Sequence, residues 1–369
     1  MLYENILYQG ILKYFYLIII ELFTFKKNTM ASLKTNFMGF ELKNPIIVGA
    51  NNLVTDADNL KKMEKAGAAA IVYKSLFEEQ IQLENLELFE RRTEYEERNA
   101  EMITLFPDSK SVPSYPEKHL LNLKRAKESV SIPVFASLNA INDDTWIEYA
   151  RKIKETGVDG IELNFYTTPE KFDSDAREIE EKQIKILMSV KSSVSIPVSV
   201  KLSPFYSNPL KFISDLDKTG ADAFVLFNRL FQPDIDIDAE QHQFPYSLSN
   251  AEDKRLPLRF AGLLYGNTKA SICSSSGIFS GNDVIKMILA GADCVQIVST
   301  LYLNQIDVIS SMITEIEKWM ESKGYNSIAS FKGKLSKKNT ENKLPYQRAQ
   351  YIDFVMSTAE IFKKYRIIR

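Results

Sequence analysis

Cysteine and histidine are nearly missing from this chain, which carries only Cys273, Cys294, His119 and His242. Two thiolates cannot hold an iron–sulfur cluster, which needs clustered cysteines. Two histidines leave little for an imidazole-rich metal centre, and no metal site is expected. Both cysteines lie in apolar runs and read as buried small hydrophobes rather than a disulfide. An excess of one charge is also lacking: 46 Lys and Arg stand against 48 Asp and Glu, a formal charge of −2. No basic surplus marks a nucleic-acid face, so the expected partner is a small molecule. A long hydrophobic run is missing too. The stretch Tyr14-Phe-Tyr-Leu-Ile-Ile-Ile-Glu-Leu-Phe-Thr-Phe25 is short for a membrane span, is broken by Glu21 and has no small-residue cleavage site. Stable membrane insertion is therefore not expected, and a cytoplasmic location is. Met30 is followed by Ala-Ser-Leu-Lys-Thr-Asn-Phe-Met-Gly-Phe, which reads as the start of a folded domain. Residues 1–29 are taken as an N-terminal extension, with a membrane-associating leader as the competing reading.

What is present is a repeat. Hydrophobic residues make up 45% and charged residues 25%, ordinary for a chain able to bury a large core. Eight short β-rich runs recur, each followed by an amphipathic segment. They are Pro45-Ile-Ile-Val-Gly49, Ala69-Ala-Ile-Val-Tyr-Lys74, Pro133-Val-Phe-Ala-Ser-Leu138, Gly160-Ile-Glu-Leu-Asn164, Pro197-Val-Ser-Val-Lys-Leu202, Ala223-Phe-Val-Leu-Phe-Asn228, Ala270-Ser-Ile-Cys-Ser274 and Asp293-Cys-Val-Gln-Ile-Val298. Near-continuous apolar strands alternating with helices imply a parallel sheet covered by helices. Eight such units predict an α/β fold, a (β/α)8 TIM barrel.

The helices are legible from their spacing. Ile309, Met312, Ile313, Ile316 and Met320 mark one helical face, as do Trp146, Ala150 and Ile153. Gly67, Gly157, Gly220 and Gly291 each end a helix just before a strand, where glycine accepts a left-handed turn. Two connections, 75–132 after the second strand and 229–269 after the sixth, are too long for simple loops and read as lids or substrate walls. The first contains the charge run Phe89-Glu-Arg-Arg-Thr-Glu-Tyr-Glu-Glu-Arg98, which reads as a solvated helix face. The expected organisation is an extension over 1–29, a barrel over 30–335 and a helical tail over 336–369.

Active sites of such barrels lie at the C-terminal strand ends. Polar residues stop the apolar runs there: Lys74 and Ser75, Asn139, Asn164, Lys201 and Asn228. A lysine inside the run Val198-Ser-Val-Lys-Leu202 is poorly solvated unless it meets an anion or an electron-rich ligand. Lysines near a flavin's pyrimidine edge stabilise its reduced form, whereas a Schiff-base lysine is the competing chemistry. Strand seven runs into Ser274-Ser-Ser-Gly-Ile-Phe-Ser-Gly281, and strand eight ends Gln296-Ile-Val-Ser-Thr300. These small residues suit the phosphate site common to barrel loops seven and eight.

Together, Asn44-Pro-Ile-Ile-Val-Gly49, Val72-Tyr-Lys-Ser75, Gly160-Ile-Glu-Leu-Asn164, Val200-Lys-Leu-Ser-Pro204, Ser276-Gly-Ile-Phe-Ser-Gly281 and Ala290-Gly-Ala-Asp-Cys-Val-Gln296 occur in an order that resembles the dihydroorotate dehydrogenases. The tail Gly324-Tyr-Asn-Ser-Ile-Ala-Ser-Phe-Lys-Gly-Lys-Leu335 is similar too, so the likeness runs from about Leu33 to Leu335. The resemblance implies an FMN-dependent oxidoreductase acting on a CH–CH group. Such enzymes oxidise dihydroorotate to orotate in pyrimidine biosynthesis, passing a hydride from C6 to flavin N5 while a loop residue takes the C5 proton. Carried onto this chain, it places Ala50, Asn51, Lys74, Ser75, Asn139, Asn164, Lys201 and Asn228 around the flavin and substrate. Lys201 faces the flavin's polar edge and counts as catalytic. Ser275, Ser276, Gly277, Ser299 and Thr300 would bind the phosphate.

The chain departs from the family's pattern at the substrate side. A Cys or Ser base followed by Pro-Asn is usual after the strand-four asparagine, but this chain reads Asn164-Phe-Tyr-Thr-Thr-Pro-Glu170. Thr167 is the nearest match for the base, with Thr168 next. The Asn-x-Met-Gly-type segment is replaced by Ala100-Glu-Met-Ile-Thr-Leu-Phe-Pro-Asp108. Glu170 disfavours an anionic substrate unless Arg229 or a lysine offsets it. Three readings follow: an FMN enzyme for dihydroorotate, an FMN enzyme for another cyclic or activated C=C substrate, and a non-redox phosphate-binding barrel. The electron acceptor is not legible. Barrels of this kind often form a homodimer, but no residue pattern marks an interface.

Overall fold

A computed structural model of the protein describes residues 31–83, 114–166, 172–230, 233–243 and 248–356. The N-terminal extension, the charge run 89–98, the segment 100–108, Thr167, Thr168 and Glu170 lie outside the described residues.

Eight parallel strands close into a barrel. In chain order they are β1 (Ile46–Val48), β2 (Ala70–Phe77), β3 (Val134–Asn139), β4 (Gly160–Phe165), β5 (Val198–Leu202), β6 (Ala223–Leu226), β7 (Ser271–Ser275) and β8 (Cys294–Ile297). Every strand pairs with its sequence neighbours, and β8 closes the ring on β1. Outside lie α1 (Ala57–Ala66), α2 (Tyr115–Ser129), α3 (Asp143–Glu155), α4 (Ala176–Ser193), α5 (Pro209–Thr219), α6 (Arg255–Leu264), α7 (Gly281–Ala290) and α8 (Val308–Lys323). The eight apolar runs are thus the eight strands, and the long connections hold regular helices plus added segments. After β6 the addition includes an antiparallel ribbon, Asp234–Asp236 with Gln241–Gln243.

The strands are apolar on both faces because each face packs on something different. Outward residues such as Val48, Ile71, Ala136, Ile161, Val200 and Leu226 join the helices in one large cluster. Inward residues Ile47, Ala70, Val72, Phe135, Ala223, Val225, Cys273 and Cys294 form a second, inside the barrel. An N-terminal hairpin, Thr35–Phe37 with Phe40–Leu42, inserts Phe37, Met38 and Leu42 into that inner cluster and plugs the lower end. Gly160 is required there: a Cβ would lie 2.9 Å from Met38 Cε and 3.0 Å from Pro197 O. Burying a side chain the size of Phe37 contributes roughly 1.5–3 kcal/mol. Cys273 and Cys294 are register partners, fully buried and free, and burial pushes the Cys294 thiol up.

A recurrent aspartate fastens the strand bottoms. Asp159, Asp222 and Asp293 follow Gly157, Gly220 and Gly291 by two residues. Each carboxylate accepts from the first residues of the preceding strand: Val134 N at 2.7 Å, Val198 N at 2.7 Å and Ile272 N at 2.8 Å. Each also meets a lysine, respectively Lys127, Lys191 and Lys332. All four predicted helix-ending glycines have positive φ. Beyond Leu335 the chain continues along the helical shell, with Lys337 N donating to Gly262 O and Arg259 reaching Pro345 O. It ends its described course in the helix Gln350–Met356. No helix among the described residues is long and apolar enough to cross a membrane.

Candidate active site

Halfway up the barrel the inward positions change character. Above the apolar plug they carry Lys74, Ser137, Asn139, Glu162, Asn164, Ser199, Lys201 and Gln296, all on the alternate positions that share a face with the inner cluster. Of these, Lys74, Glu162, Asn164, Lys201 and Gln296 line a cavity of about 620 Å³ at the C-terminal strand ends, within the size of a cofactor or substrate pocket.

On β2 the register to β3 shifts between Tyr73 and Leu76, so three steps on β2 face two on β3. This bulge inserts one residue and re-aims the strand. Both Lys74 and Ser75 therefore line the cavity, although adjacent strand residues normally face opposite ways. Ser75 Oγ bonds Ser137 Oγ at 2.6 Å. Behind β2 on α2, His119 is buried against Tyr73 and Tyr115. Burial, with the field of Lys74, lowers its pKa to about 4, which keeps the ring neutral.

Asn164 on β4 is the register partner of Lys201 on β5. Asn228, just past β6, donates from Nδ2 to Asn164 Oδ1 at 2.7 Å, which fixes both amides. Two residues deeper on β4, Glu162 is 1% exposed. Its Oε2 accepts from Gln296 Nε2 at 2.5 Å, and its Oε1 lies 3.9 Å from Lys201 Nζ. Lys201 Nζ is 3.4 Å from Gln296 Oε1. The three side chains, from β4, β5 and β8, make a polar floor spanning the barrel.

The opposite wall is the turn after β7. Ser276 and Gly277 have φ of 79° and 71°, a left-handed region that costs a side chain energy. A Cβ on Gly277 would lie 2.3 Å from Lys254 N. The segment 248–254 is laid directly over this turn. Ser249 N donates to Ser299 Oγ at 3.0 Å, Asn250 N donates to Asp253 Oδ2 at 2.9 Å, and Arg229 pairs with Asp253. Lys254 Nζ reaches Asp283 Oδ1 at 3.0 Å. Burial works against the Asp283 carboxylate, but Lys254 and the Phe279 N–H outweigh it and hold its pKa below the usual range.

Of the residues singled out from sequence, Ala50, Asn51, Lys74, Ser75, Asn164, Lys201, Asn228, Ser275, Ser276, Gly277 and Ser299 line this one cavity. Asn51 also closes its own loop, bonding Gly49 O and Leu53 N. Asn139 and Thr300 do not line it. Asn139 is buried at the end of β3 beside Phe77, and Thr300 is fully buried with Asn304 on its hydroxyl. Sequence reading passed over Glu162, Gln296, Phe77, Ser249 and Tyr302, which do line it. Alternation could have found the first two, since Glu162 shares a face with Asn164 and Gln296 with Cys294. No group of acids, cysteines and histidines able to hold a metal occurs among the described residues.

Comparison with known proteins agrees with this architecture. A family model described as dihydroorotate dehydrogenase matches residues 89–320. The chain is 28% identical over 321 residues to the dihydroorotate dehydrogenase B (NAD(+)) catalytic subunit of Thermoplasma acidophilum, covering 82% of this chain and 99% of that one. It is 26% identical over 301 residues to the protein of the same description from Methanocaldococcus jannaschii, covering 78% and 94%. A third, from Pyrococcus furiosus, is 26% identical over 311 residues, covering 83% and 99%. With a model matched over more than half its length, on a closed eight-stranded barrel, the chain belongs to the dihydroorotate dehydrogenase family.

Proposed function

We propose that the protein is an FMN-dependent oxidoreductase that oxidises dihydroorotate to orotate. The observation that carries this reading is the convergence of Lys74, Lys201 and the turn 275–277 on one cavity. The lining suits the cofactor. Lys74 and Lys201 bring two positive charges to it against the carboxylate of Glu162, with Arg229 offset by Asp253, a balance that favours an anionic ligand. The crowded, small-residue turn allows backbone N–H groups close to a phosphate.

In this reading Ser275, Ser276 and Gly277, with Ser299, hold the phosphate, while Ala50 and Asn51 border the ring. Thr300 and Asn139 support that shell from behind. Lys74 and Lys201 meet the ring, Lys201 at its polar pyrimidine edge. Bound FMN supplies the hydride acceptor. Asn164 and Asn228, locked to each other, orient the substrate ring through their remaining amide groups. Thr167 Oγ1 takes the substrate's C5 proton, a role that needs an onward acceptor because a threonine hydroxyl is a weak acid. The relatives' description as catalytic subunits supports a partner protein as the route by which electrons leave.

One observation favours a second substrate. Arg229, the cation nearest in sequence to the substrate wall, is paired with Asp253, which weakens its claim on an orotate carboxylate. An FMN enzyme for another cyclic or activated C=C compound is the alternative. Anaerobic mixing of the flavin-loaded protein with dihydroorotate separates the two. Loss of the visible flavin absorbance supports the first reading, and retained colour with dihydroorotate, but bleaching by a related neutral ring, moves the assignment to the second.

A further inference from the structure

The floor of the cavity holds a charge that neither the family likeness nor the proposed reaction accounts for. Glu162 is buried inside a barrel whose inner apolar cluster includes Val72, Phe135 and Val225. A carboxylate there is costly unless it is opposed and hydrogen-bonded. Only half of it is: Oε2 accepts from Gln296, and Oε1 has no hydrogen-bond partner. The nearest opposite charge is Lys201 Nζ, 3.9 Å from that oxygen. Gln296 ties the pair together. Its Nε2 donates to the carboxylate and its Oε1 faces the ammonium. The reversed amide would set like against like, so one orientation is fixed.

We propose that Glu162 is a positioning residue that restrains the Lys201 ammonium, offsets its field and so sets the reduction potential of the flavin. The inference rests on the FMN reading above. Reduction brings two electrons to the ring, as a hydride from the substrate or as two electrons from the titrant with a proton from water, and leaves it more negative. Lys201 favours that state. A carboxylate about one ion-pair length from the same ammonium, buried and weakly screened, subtracts from its effect. No bond to Glu162 forms or breaks. Its charge raises the energy of the reduced state relative to a floor carrying Lys201 alone.

The test is an equilibrium reductive titration of the full-length, FMN-loaded protein against a reference dye. Glu162→Gln keeps an acceptor for Gln296 and removes the charge. At a fixed solution potential its ratio of reduced to oxidised flavin should rise at least tenfold, about 30 mV for a two-electron couple. A ratio within threefold of the unsubstituted protein overturns the proposal. In a Lys201→Gln background the buried carboxylate loses its counter-ion and takes up a proton, so the same change should shift the ratio by less than threefold. An undiminished tenfold shift there overturns the route through Lys201. Should E162Q fail to fold, Glu162→Asp withdraws the charge from the ammonium and is expected to raise the ratio at least threefold, with no change again counting against the idea. If the unsubstituted protein binds no FMN, it is the functional reading that fails, a result distinct from all of these.

Discussion

Lys201 on β5 and Glu162 on β4 approach to 3.9 Å although they are not register partners; the residue opposite Lys201 is Asn164. The lysine is thus held from the layer beneath it and flanked at its own level by an amide. A buried cation so placed is poised for an anionic or electron-rich ligand.

Replacing Lys201 by Met should cut kcat on the order of 10²–10³-fold, the usual effect of removing one fixed charge-stabilising donor. The flavin's potential should also fall. Steady-state assay and dye titration of the same preparation test both, and an unchanged kcat would remove Lys201 from the chemistry.

Thr167→Ala should lower kcat by about 10²–10⁴-fold, the range for a positioned proton acceptor, while FMN affinity stays constant. If turnover survives and affinity drops instead, the threonine shapes the loop and another group takes the proton.

The turn under segment 248–254 has no room for a side chain. Gly277→Ala, at φ 71° and 2.3 Å from Lys254 N, should cost about 2–4 kcal/mol and weaken FMN binding. Thermal melting with and without FMN reads both effects. Asp222→Ala, at the other end of the barrel, should cost about 1.5–3 kcal/mol through lost charge-assisted bonds and leave FMN affinity as it was.

Stability should depend on His119. Its folded pKa of about 4 lies below the unfolded value of 6.5, so the unfolded chain binds more protons between those limits. Stability is therefore full above about pH 6.5 and falls as pH drops toward 4, by up to about 3 kcal/mol. Denaturant melts of His119→Phe should show a flatter profile across that window, and an equal slope would mean other groups titrate there.

The barrel itself was legible because each strand is a short, largely apolar run and several helices end at a glycine, three of them with an aspartate two residues later. The rim was legible where polarity interrupts a run, as at Lys74, Asn164 and Lys201. Three things were not. The bulge that turns both Lys74 and Ser75 inward leaves no compositional mark. Glu162 and Gln296 lie inside their strands, so a rule that looks only at strand ends passes over them. The pairings Arg229 to Asp253 and Ser249 to Ser299 join separate loops, and their meeting depends on how 248–254 is laid over the turn.

Titration of the apoprotein with FMN, followed by quenching of flavin fluorescence, tests the central claim most directly. Saturable quenching at one FMN per chain, weakened in Lys74→Ala and Lys201→Ala, is the expected result. Fluorescence that stays unquenched, in a protein shown by melting to be folded, would contradict a flavin at this barrel's mouth.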